Sequence, residues 1–354
     1  MIKKIIEAAI LAPSGENCQP WRFEIVGQKI LLFNCPERDQ SAYNWEQRAS
    51  MVSHGAVIEN MVITARQLGQ TLDIKLFPDP AGQPDLVATF DVRALEGGEK
   101  SSDPLYLYLE KRCTNRRPYE ASASLSSEEQ RDLEAGSGGG ATITLLNDKI
   151  KINEIATAAS VGEKVLFENR RLHDFFFAHV SWTKQEDEEK RAGFYIETLE
   201  LPLPAKVGFK LFKHWSVLNI ANKIIGASKV VAKENAKNYS ASAGFGAVSV
   251  NSKRPEDFIA IGRALERAWL TATKIGLSFQ PVTGVIWFQR RLENGEGDWF
   301  SENHKNLIQD SYRKIFSTFG LKQNQVLAMM FRVGRSAPPS ARSLRFPLDK
   351  FVKL

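Results

Sequence analysis

Apolar residues recur at helical spacing in two separate stretches of the chain. The first stretch runs from Gly55 to Gly69 and the second from Gly262 to Gly276, with the same fourteen-residue interval. A stripe at intervals of three and four residues predicts an amphipathic helix, and a following glycine is typical of a helix C-terminus. The stripes are Ile58, Met61, Val62, Ala65 and Leu68 in the first stretch, and Leu265, Ala268, Trp269, Ala272 and Ile275 in the second.

Further identities accompany the two stripes. Glu59 recurs as Glu266, and Thr64 recurs as Thr271 at the equivalent position. Matching glycines, a matching acid and stripes in phase predict a duplicated structural unit. The alternative is two unrelated amphipathic helices that both end at a glycine.

Strand patterns surround these helices. Residues 21–26 and 29–33 flank Gly27-Gln28, and a glycine at the first position of a two-residue turn favours a β-hairpin. A polar, glycine-rich stretch at residues 96–103 predicts a connector. Alternating or continuous apolar runs predict three further strands at residues 72–76, 86–92 and 326–333.

Composition and charge narrow the class of protein. The 354 residues, 43% hydrophobic and 25% charged, predict a globular protein with one large domain or two smaller ones. No apolar run approaches the roughly 20 residues that span a bilayer, and Glu7 interrupts the first run, so we expect no signal peptide and no stable membrane association. The net charge of +6 fits an anionic cofactor or substrate better than nucleic acid, which usually requires a concentrated basic surface.

Cysteine usage indicates a reducing compartment. Cys18, Cys35 and Cys113 form no CxxC pair, and no histidine stands at metal-ligand spacing from them. We therefore expect a cytoplasmic protein without a structural metal. Cys18 is interpreted first as a small buried residue and only second as a redox thiol.

A loop with the sequence APSGENCQPWRF connects the N-terminal helical run to the hairpin. Pro13 suits the end of a helix, and Gly15 permits backbone geometry that a side chain would forbid. Asn17 and Gln19 supply amide donors and acceptors, and Trp21 supplies a flat apolar surface. These residues fit a planar, hydrogen-bonding ligand. A plain helix–turn–strand connection would also need the proline and the glycine.

An arginine cluster lies near the middle of the chain, in the sequence RCTNRRPY at residues 112–119. Three guanidiniums lie within six residues, beside the hydroxyl of Thr114. Their paired N–H donors are suited to bidentate hydrogen bonds with a phosphate. A solvated basic loop is the alternative interpretation.

These two motifs together resemble the FMN-dependent nitroreductase superfamily. In ordinary members the arginine motif precedes the APSGxNxQPW loop within one subunit, and two subunits share two flavins. Here the first half has only the loop and the second has only the arginine motif, with GSGGG at residues 136–140 in place of a second loop. The chain therefore looks like the fused, single-chain Acg-like branch. The resemblance implies an α+β, nitroreductase-like fold of two fused half-units (residues 1–104 and 105–354), each with a mainly antiparallel sheet flanked by helices.

The resemblance also implies roles for individual residues. Arg112 and Thr114 would face the FMN phosphate, and Arg116 would lie near the ring as an electrostatic stabiliser of the reduced flavin. Thr283 and Gly284 would approach the N5 edge through their backbone amides, although the family often has an acid at the position of Thr283. The loop residues Pro13, Ser14, Gly15, Asn17 and Gln19 would contact the flavin, and either or both of Arg342 and Arg345 would clamp the phosphate.

The activity implied is an FMN-dependent oxidoreductase that passes hydride from NAD(P)H to a small acceptor such as a nitroaromatic, a quinone or a biosynthetic intermediate. No Rossmann fingerprint is present, which is consistent with a nicotinamide that visits the site only transiently. One alternative is a protein that stores or sequesters FMN, and another is a flavin-free interaction module. A monomer acting as an internal pseudo-dimer, or a weak homodimer, is expected.

The segment at residues 192–239 mixes aromatic residues with lysines. A basic amphipathic helix can lie on a membrane surface, but packing on the rest of the protein is the more common arrangement. Similar proteins indicate a third interpretation, a lid over the flavin pocket, with its aromatic residues turned toward the pocket and its lysines toward solvent or an anionic ligand.

Overall fold

The computed structural model describes residues 1–95 and 102–353, so most of the predicted connector at residues 96–103 lies outside the described residues. The helices are α1 (Ile2–Ala9), α2 (Arg48–Gln67), α3 (Ser127–Glu134), α4 (Lys149–Ala159), α5 (Val161–Glu168), α6 (Arg170–Ala178), α7 (Lys184–Lys190), α8 (Leu203–Phe212), α9 (Trp215–Ile225), α10 (Ala227–Ser240), α11 (Pro255–Lys274), α12 (Gly284–Glu293) and α13 (Glu302–Thr318). The strands are β1 (Trp21–Val26), β2 (Lys29–Asn34), β3 (Gln70–Leu76), β4 (Leu86–Ala94), β5 (Thr142–Leu146), β6 (Val180–Ser181), β7 (Phe194–Tyr195), β8 (Gly244–Val250), β9 (Ser278–Pro281), β10 (Val326–Gly334) and β11 (Val352–Lys353).

Two larger sheets organise the described part of the chain. The first has the strand order β11-β1-β2-β4-β3 and the second has the order β5-β8-β10-β9. Within these two sheets, neighbouring strands are antiparallel except β1 and β11, which run parallel. The short strands β6 and β7 form a separate parallel pair. The predicted hairpin is confirmed, since Val26 pairs with Lys29 and Gly27 has a φ of 60°. The arrangement confirms an α+β fold with two antiparallel half-units.

The two repeated helices, α2 and α11, pack directly against each other. A Cβ on Gly55 would lie 2.1 Å from the carbonyl oxygen of Ile259, and one on Gly262 would lie 1.9 Å from that of Val52. No such contact is tolerable, so both glycines are required for the close approach of the helices. Each glycine meets its own equivalent in the other repeat, as at the centre of a two-fold interface. The two helices of the predicted duplication therefore pack against each other through their equivalent glycines.

The repeated acids are both buried at this interface. Glu59 accepts hydrogen bonds from Arg263 Nε at 2.8 Å and from Arg267 Nη1 at 2.7 Å, so that an acid of one repeat pairs with arginines of the other. Its equivalent, Glu266, instead pairs with Arg112, with 3.1 Å between Oε1 and Nε. The interface thus places one acid beside the arginine motif of the second half.

The C-terminal segment returns to the first half. In β11, Val352 pairs with Phe23 of β1, and Phe351 packs in the main apolar core. Sequence patterns did not predict this strand because it is only two residues long. The division at residues 104 and 105 remains a prediction. Among the described residues, no helix combines the length and the apolar composition needed to traverse a bilayer.

Candidate functional site

A cavity of about 680 Å³ lies between the two halves, with walls that include parts of both α2 and α11. The structure brings together here all but one of the residues that the sequence analysis proposed for cofactor binding. The exception is Gln19. The residues present are Pro13, Ser14, Gly15, Asn17, Arg112, Thr114, Arg116, Thr283, Gly284, Arg342 and Arg345.

The loop that follows α1 reaches the cavity in an unusual conformation. Glu16, Asn17 and Gln19 have φ angles of 49°, 53° and 52°, in the left-handed region that residues other than glycine rarely adopt. Gly15 does not supply this geometry, and the prediction that it does is wrong. A Cβ at Gly15 would meet only Asp39 Oδ2, at 3.8 Å. Strain of this kind persists only where surrounding contacts enforce it.

Amide side chains provide those contacts. Gln19 Nε2 donates to the carbonyl of Arg191 at 2.8 Å, and Gln19 Oε1 accepts from the N–H of Phe346 at 2.9 Å. Asn17 Nδ2 donates to the carbonyl of Leu344 at 2.9 Å. These bonds hold the loop to the C-terminal segment. Gln19 itself does not line the cavity, because its amide is occupied by the chain, and its contact with a cofactor stays a prediction.

Three arginines converge on one part of the cavity wall, which we call the basic wall: Arg112, Arg342 and Arg345. Arg112 is buried against Glu266. Arg342 is exposed, and its Nη2 donates to the carbonyl of Arg112 at 2.8 Å. Arg345 Nη1 donates to Asn17 Oδ1 at 2.6 Å. The two candidate clamp residues thus reach the same wall as the arginine motif, from the far end of the chain.

The charges of the basic wall are not balanced. Of these three guanidiniums, that of Arg112 pairs with the carboxylate of Glu266, which also attracts Arg345. Burial, followed by repulsion from Arg112, lowers the pKa of Arg345 to about 9, and burial raises the pKa of Glu266 to about 7 against the attraction of Arg112. Within the described part of the chain, buried Arg345 Nε has no hydrogen-bond partner. An anion would supply both the missing charge and an acceptor.

The N-terminus of α12 forms another part of the wall. Thr283 and Gly284 stand where the first N–H groups of a helix lack partners within the helix. A Cβ on Gly162 of α5 would lie 3.4 Å from Gly284 Cα, so the backbones of α5 and α12 are close at this point. Apolar and aromatic side chains complete the surface, among them Leu166, Phe167, Phe176, Phe194, Trp287 and Met329.

Arg116 occupies a separate position on the wall. Its Nη1 donates to the carbonyl of Thr198 at 3.0 Å, and its Cζ lies 5.4 Å from the centroid of the Phe194 ring. Burial lowers the pKa of Arg116 to about 10. A cation held here would favour negative charge that develops nearby.

Several carboxyl groups that the sequence did not indicate also line the cavity, among them Glu16, Asp39 and Glu163. Burial and then the nearby Asp39 raise the pKa of Glu16 to about 8. Burial also raises the pKa of Glu163, although Tyr239 Oη donates to its Oε1 at 2.6 Å. Glu16 could have been found from its place inside the loop motif. Asp39 and Glu163 carry no such signal, because only the fold brings them here.

The segment at residues 192–239 contributes only its two ends to the cavity. Phe194, Thr198 and Tyr239 line it. Phe212 and Trp215 pack instead into an apolar cluster with α6, where the Trp215 ring lies 5.2 Å from that of His173. The expectation that the aromatic residues of a lid turn toward the pocket is therefore wrong for α8 and α9. Packing on the protein, one of the three alternatives, accounts for their inner faces.

Within the ranges that the structure describes, no group of three His, Cys, Asp or Glu side chains is placed to hold a metal ion. Burial, with Asp39 and Glu16 adding to it, raises the pKa of the Cys18 thiol. A thiol with a raised pKa is a poor nucleophile at neutral pH, which supports the structural interpretation of this cysteine.

Proteins of Mycobacterium tuberculosis are similar in sequence to this chain. No family model matches the chain. The chain is 25% identical over 348 residues to the protein MT1398 of Mycobacterium tuberculosis (strain CDC 1551), covering 96% of this chain and 46% of that protein. It is 26% identical over 187 residues to acg of the same organism, a protein named as a candidate NAD(P)H nitroreductase, covering 51% of this chain and 53% of that protein. The chain thus spans about half, or less, of the length of the curated relatives that it matches.

Solved structures with detectable similarity include the FMN-dependent nitroreductase NfnB from Mycobacterium smegmatis in complex with NADPH, with a TM-score of 0.40, 13% identity and coverage of 70% of this chain and 95% of that one. A nitroreductase with bound FMN from Bacteroides fragilis has a TM-score of 0.35, 11% identity and the same coverages. In its sequence the chain is similar to proteins named as candidate NAD(P)H nitroreductases. Its motifs are also similar to those of the fused, Acg-like branch of the nitroreductase superfamily.

Proposed function

We propose that this protein is an FMN-dependent oxidoreductase that transfers hydride from NAD(P)H to a small acceptor. The observation that carries the proposal is the convergence of Arg112, Arg342 and Arg345 on one wall of a cavity whose other walls are a helix N-terminus and aromatic side chains. This arrangement suits a ligand with an anionic group at one end and a flat ring at the other. Supporting it, several sequence relatives are named as candidate NAD(P)H nitroreductases.

The residues present fit FMN. A cavity of about 680 Å³ is within the range of about 300–1,000 Å³ that holds cofactors and drug-sized ligands. Arg112, Arg342 and Arg345 would hold the phosphate, together with the hydroxyl of Thr114. The Nε of Arg345, which has no hydrogen-bond partner among the residues that the structure describes, is a buried donor that a phosphate oxygen would satisfy.

The ring would lie against the aromatic walls and the N-terminus of α12. Bound FMN supplies a ring that accepts and donates hydride. The amides of Thr283 and Gly284 would orient the edge of that ring, and Arg116 would stabilise negative charge on it. Leu166, Phe167 and Phe176 would exclude water and favour an apolar aromatic acceptor, for which a nitroaromatic or a quinone is the natural class.

Anaerobic reduction tests the proposal directly. The purified protein, loaded with FMN and free of excess flavin, should lose its yellow colour when NADH or NADPH is added without oxygen, and adding a quinone should restore it. Dithionite serves as a control, because it reduces any accessible flavin without a nicotinamide site. Bleaching by dithionite but by neither nicotinamide would contradict the proposal and would favour FMN storage. Failure to take up FMN at all would favour a flavin-free module.

A further inference from the structure

Exposed aliphatic side chains are concentrated in one small part of this molecule. Among the described residues, twelve large apolar side chains are exposed, and eight of the twelve lie between residues 203 and 230. Leu203 and Ile224 are each 76% exposed. The eight are Leu203, Val207, Leu211, Val217, Ile220, Ile224, Ile225 and Val230. An apolar patch of this kind marks a surface that contacts something other than water.

The exposed residues form regular stripes on consecutive helices. On α8, Leu203 and Val207 are four residues apart, and Leu211 follows four residues later. On α9, Ile220 and Ile224 repeat the four-residue spacing. Such spacing places each set on one face of its helix.

The opposite faces of these helices are already used. Phe209 and Phe212 of α8, and Trp215 and Leu218 of α9, pack in the apolar cluster beneath them. Each helix therefore carries one apolar face that packs on the protein and a second that does not. The second face packs against no part of the described chain, which indicates that it contacts a partner outside the described residues.

The charge of the segment indicates the nature of that occupant. Residues 201–233 contain six lysines and no acidic residue, whereas the whole chain has a net charge of +6. The mild charge excess is thus not spread evenly along the chain. Lys206 pairs with Glu197 at 2.7 Å, but within the described residues the other five make no ion pair. These five are Lys210, Lys213, Lys223, Lys229 and Lys233, and all of them are exposed.

We propose that the outer faces of α8 and α9 bind the surface of an anionic lipid bilayer, with the helices lying in the interface. Aliphatic stripes flanked by lysines are the composition that such helices require, because the apolar side chains enter the acyl region and the ammonium groups remain among anionic headgroups. A second copy of the chain is disfavoured as the occupant, since it would bring two acid-free lysine clusters together. The inference rests on this surface alone and is independent of the proposed flavin chemistry.

Vesicle sedimentation with the full chain tests the proposal. The protein should pellet with vesicles of phosphatidylcholine and phosphatidylglycerol, pellet far less with pure phosphatidylcholine, and be released by high salt, since interfacial attraction to anionic lipid is screened. Neutralising Lys210 and Lys223 together (Lys210→Gln, Lys223→Gln) should weaken binding by roughly fivefold for each lysine. The matched control is Lys322→Gln, which removes an exposed lysine from elsewhere on the surface and should have no effect.

A second variant and its control test how far the apolar side chains contribute to vesicle binding. Ile220→Ser with Ile224→Ser should weaken vesicle binding by about tenfold or more. Ile150→Ser is the control, because Ile150 is 73% exposed but lies on α4. Circular dichroism and thermal unfolding show whether each variant is folded. Absence of binding to anionic vesicles, or equal binding to neutral ones, would overturn the proposal. So would a dimer of the parent chain that the Ile220 and Ile224 substitutions abolish.

Discussion

The phosphate end of the proposed site can be tested through a single arginine. The three arginines of the basic wall differ in their structural roles. Removing Arg112 would leave Glu266 buried and unpaired, at a cost of about 3–5 kcal/mol in folding free energy. Removing Arg345 would release the loop carbonyls of Leu11 and Ala12 that it binds. Arg342 is exposed and, within the described part of the chain, its side chain binds only the backbone carbonyls of Glu110 and Arg112, so Arg342→Gln should leave the fold intact.

The expected loss follows from the chemistry of the contact. A hydrogen bond to a charged group contributes about 1.5–3 kcal/mol, which corresponds to about 10- to 150-fold in a dissociation constant. Because Arg342 is exposed and solvent screens its charge, we expect the lower end of this range, about tenfold weaker FMN binding. Riboflavin has the same ring but no phosphate, so its affinity should change by less than about twofold.

Fluorescence titration of the apoprotein at fixed ionic strength measures both affinities. Arg93→Gln is the matched control, since Arg93 is exposed, pairs with Asp73 and lies outside the cavity. It should change neither affinity. Equal losses for FMN and riboflavin with Arg342→Gln would refute the assignment of this wall to a phosphate. An unchanged FMN affinity would refute the role of Arg342 in the clamp.

Two further predictions concern the fold and its dependence on pH. Gly262→Ala should lower the free energy of unfolding by about 3 kcal/mol in urea titrations, because the Cβ would meet the backbone carbonyl of Val52 rather than a movable side chain. In its control, Gly208→Ala, no heavy atom of the described residues lies within 4 Å of the new Cβ, so the substitution should be neutral or slightly stabilising. Equal losses from the two substitutions would contradict the packing argument. The pKa of Glu16, raised by burial to about 8, means that from about pH 5 to about pH 8 the folded state retains a proton that the unfolded chain has lost. The stability of the apoprotein should therefore fall as pH rises from about 5 to about 8, by at most about 1.4 kcal/mol per pH unit from this group, and this contribution should level off above about pH 8. Glu16→Gln should flatten the slope, and an identical slope in parent and variant would show that Glu16 is already ionised in the folded protein.

The repeated helices were the part of the fold most open to prediction. Their signal consisted of glycines and apolar stripes in phase, and the glycines prove to be the points where α2 and α11 touch. The hairpin at residues 21–34 was equally accessible, because its turn and its alternation are local. Local patterns could not reveal β11, since two residues carry no periodicity and their partner strand lies more than 300 positions earlier.

The residues of the candidate site also differ in how far the sequence alone could indicate them. Arg112, Thr114 and the loop residues belong to compact motifs, so the sequence indicated them together. Gln19 belongs to the same motif, yet its amide holds the loop instead of lining the cavity, a distinction that depends on the position of Phe346. Asp39 and Glu163 are isolated acids in sequence, and only tertiary structure brings them to the cavity.

The outer faces of α8 and α9 show a different limit of sequence reasoning. A lysine-rich amphipathic segment can bury its apolar residues or expose them, and periodicity alone cannot decide which. Here both occur, because Leu218 is fully buried while Ile220 is 56% exposed on the same helix. The sequence supported three alternatives for this reason, and the structure shows packing on the protein for the inner faces of α8 and α9.

The stoichiometry of bound flavin tests most directly the claim that two fused halves form one FMN site. The loop comes from the first half, the arginine motif from the second, and neither is duplicated in the chain. Native mass spectrometry of the FMN-loaded protein, with the released flavin quantified by absorbance, should therefore give one FMN per chain, whether the protein is a monomer or a dimer. Two FMN per chain would contradict the fused pseudo-dimer, and none under saturating FMN would contradict the flavin site itself.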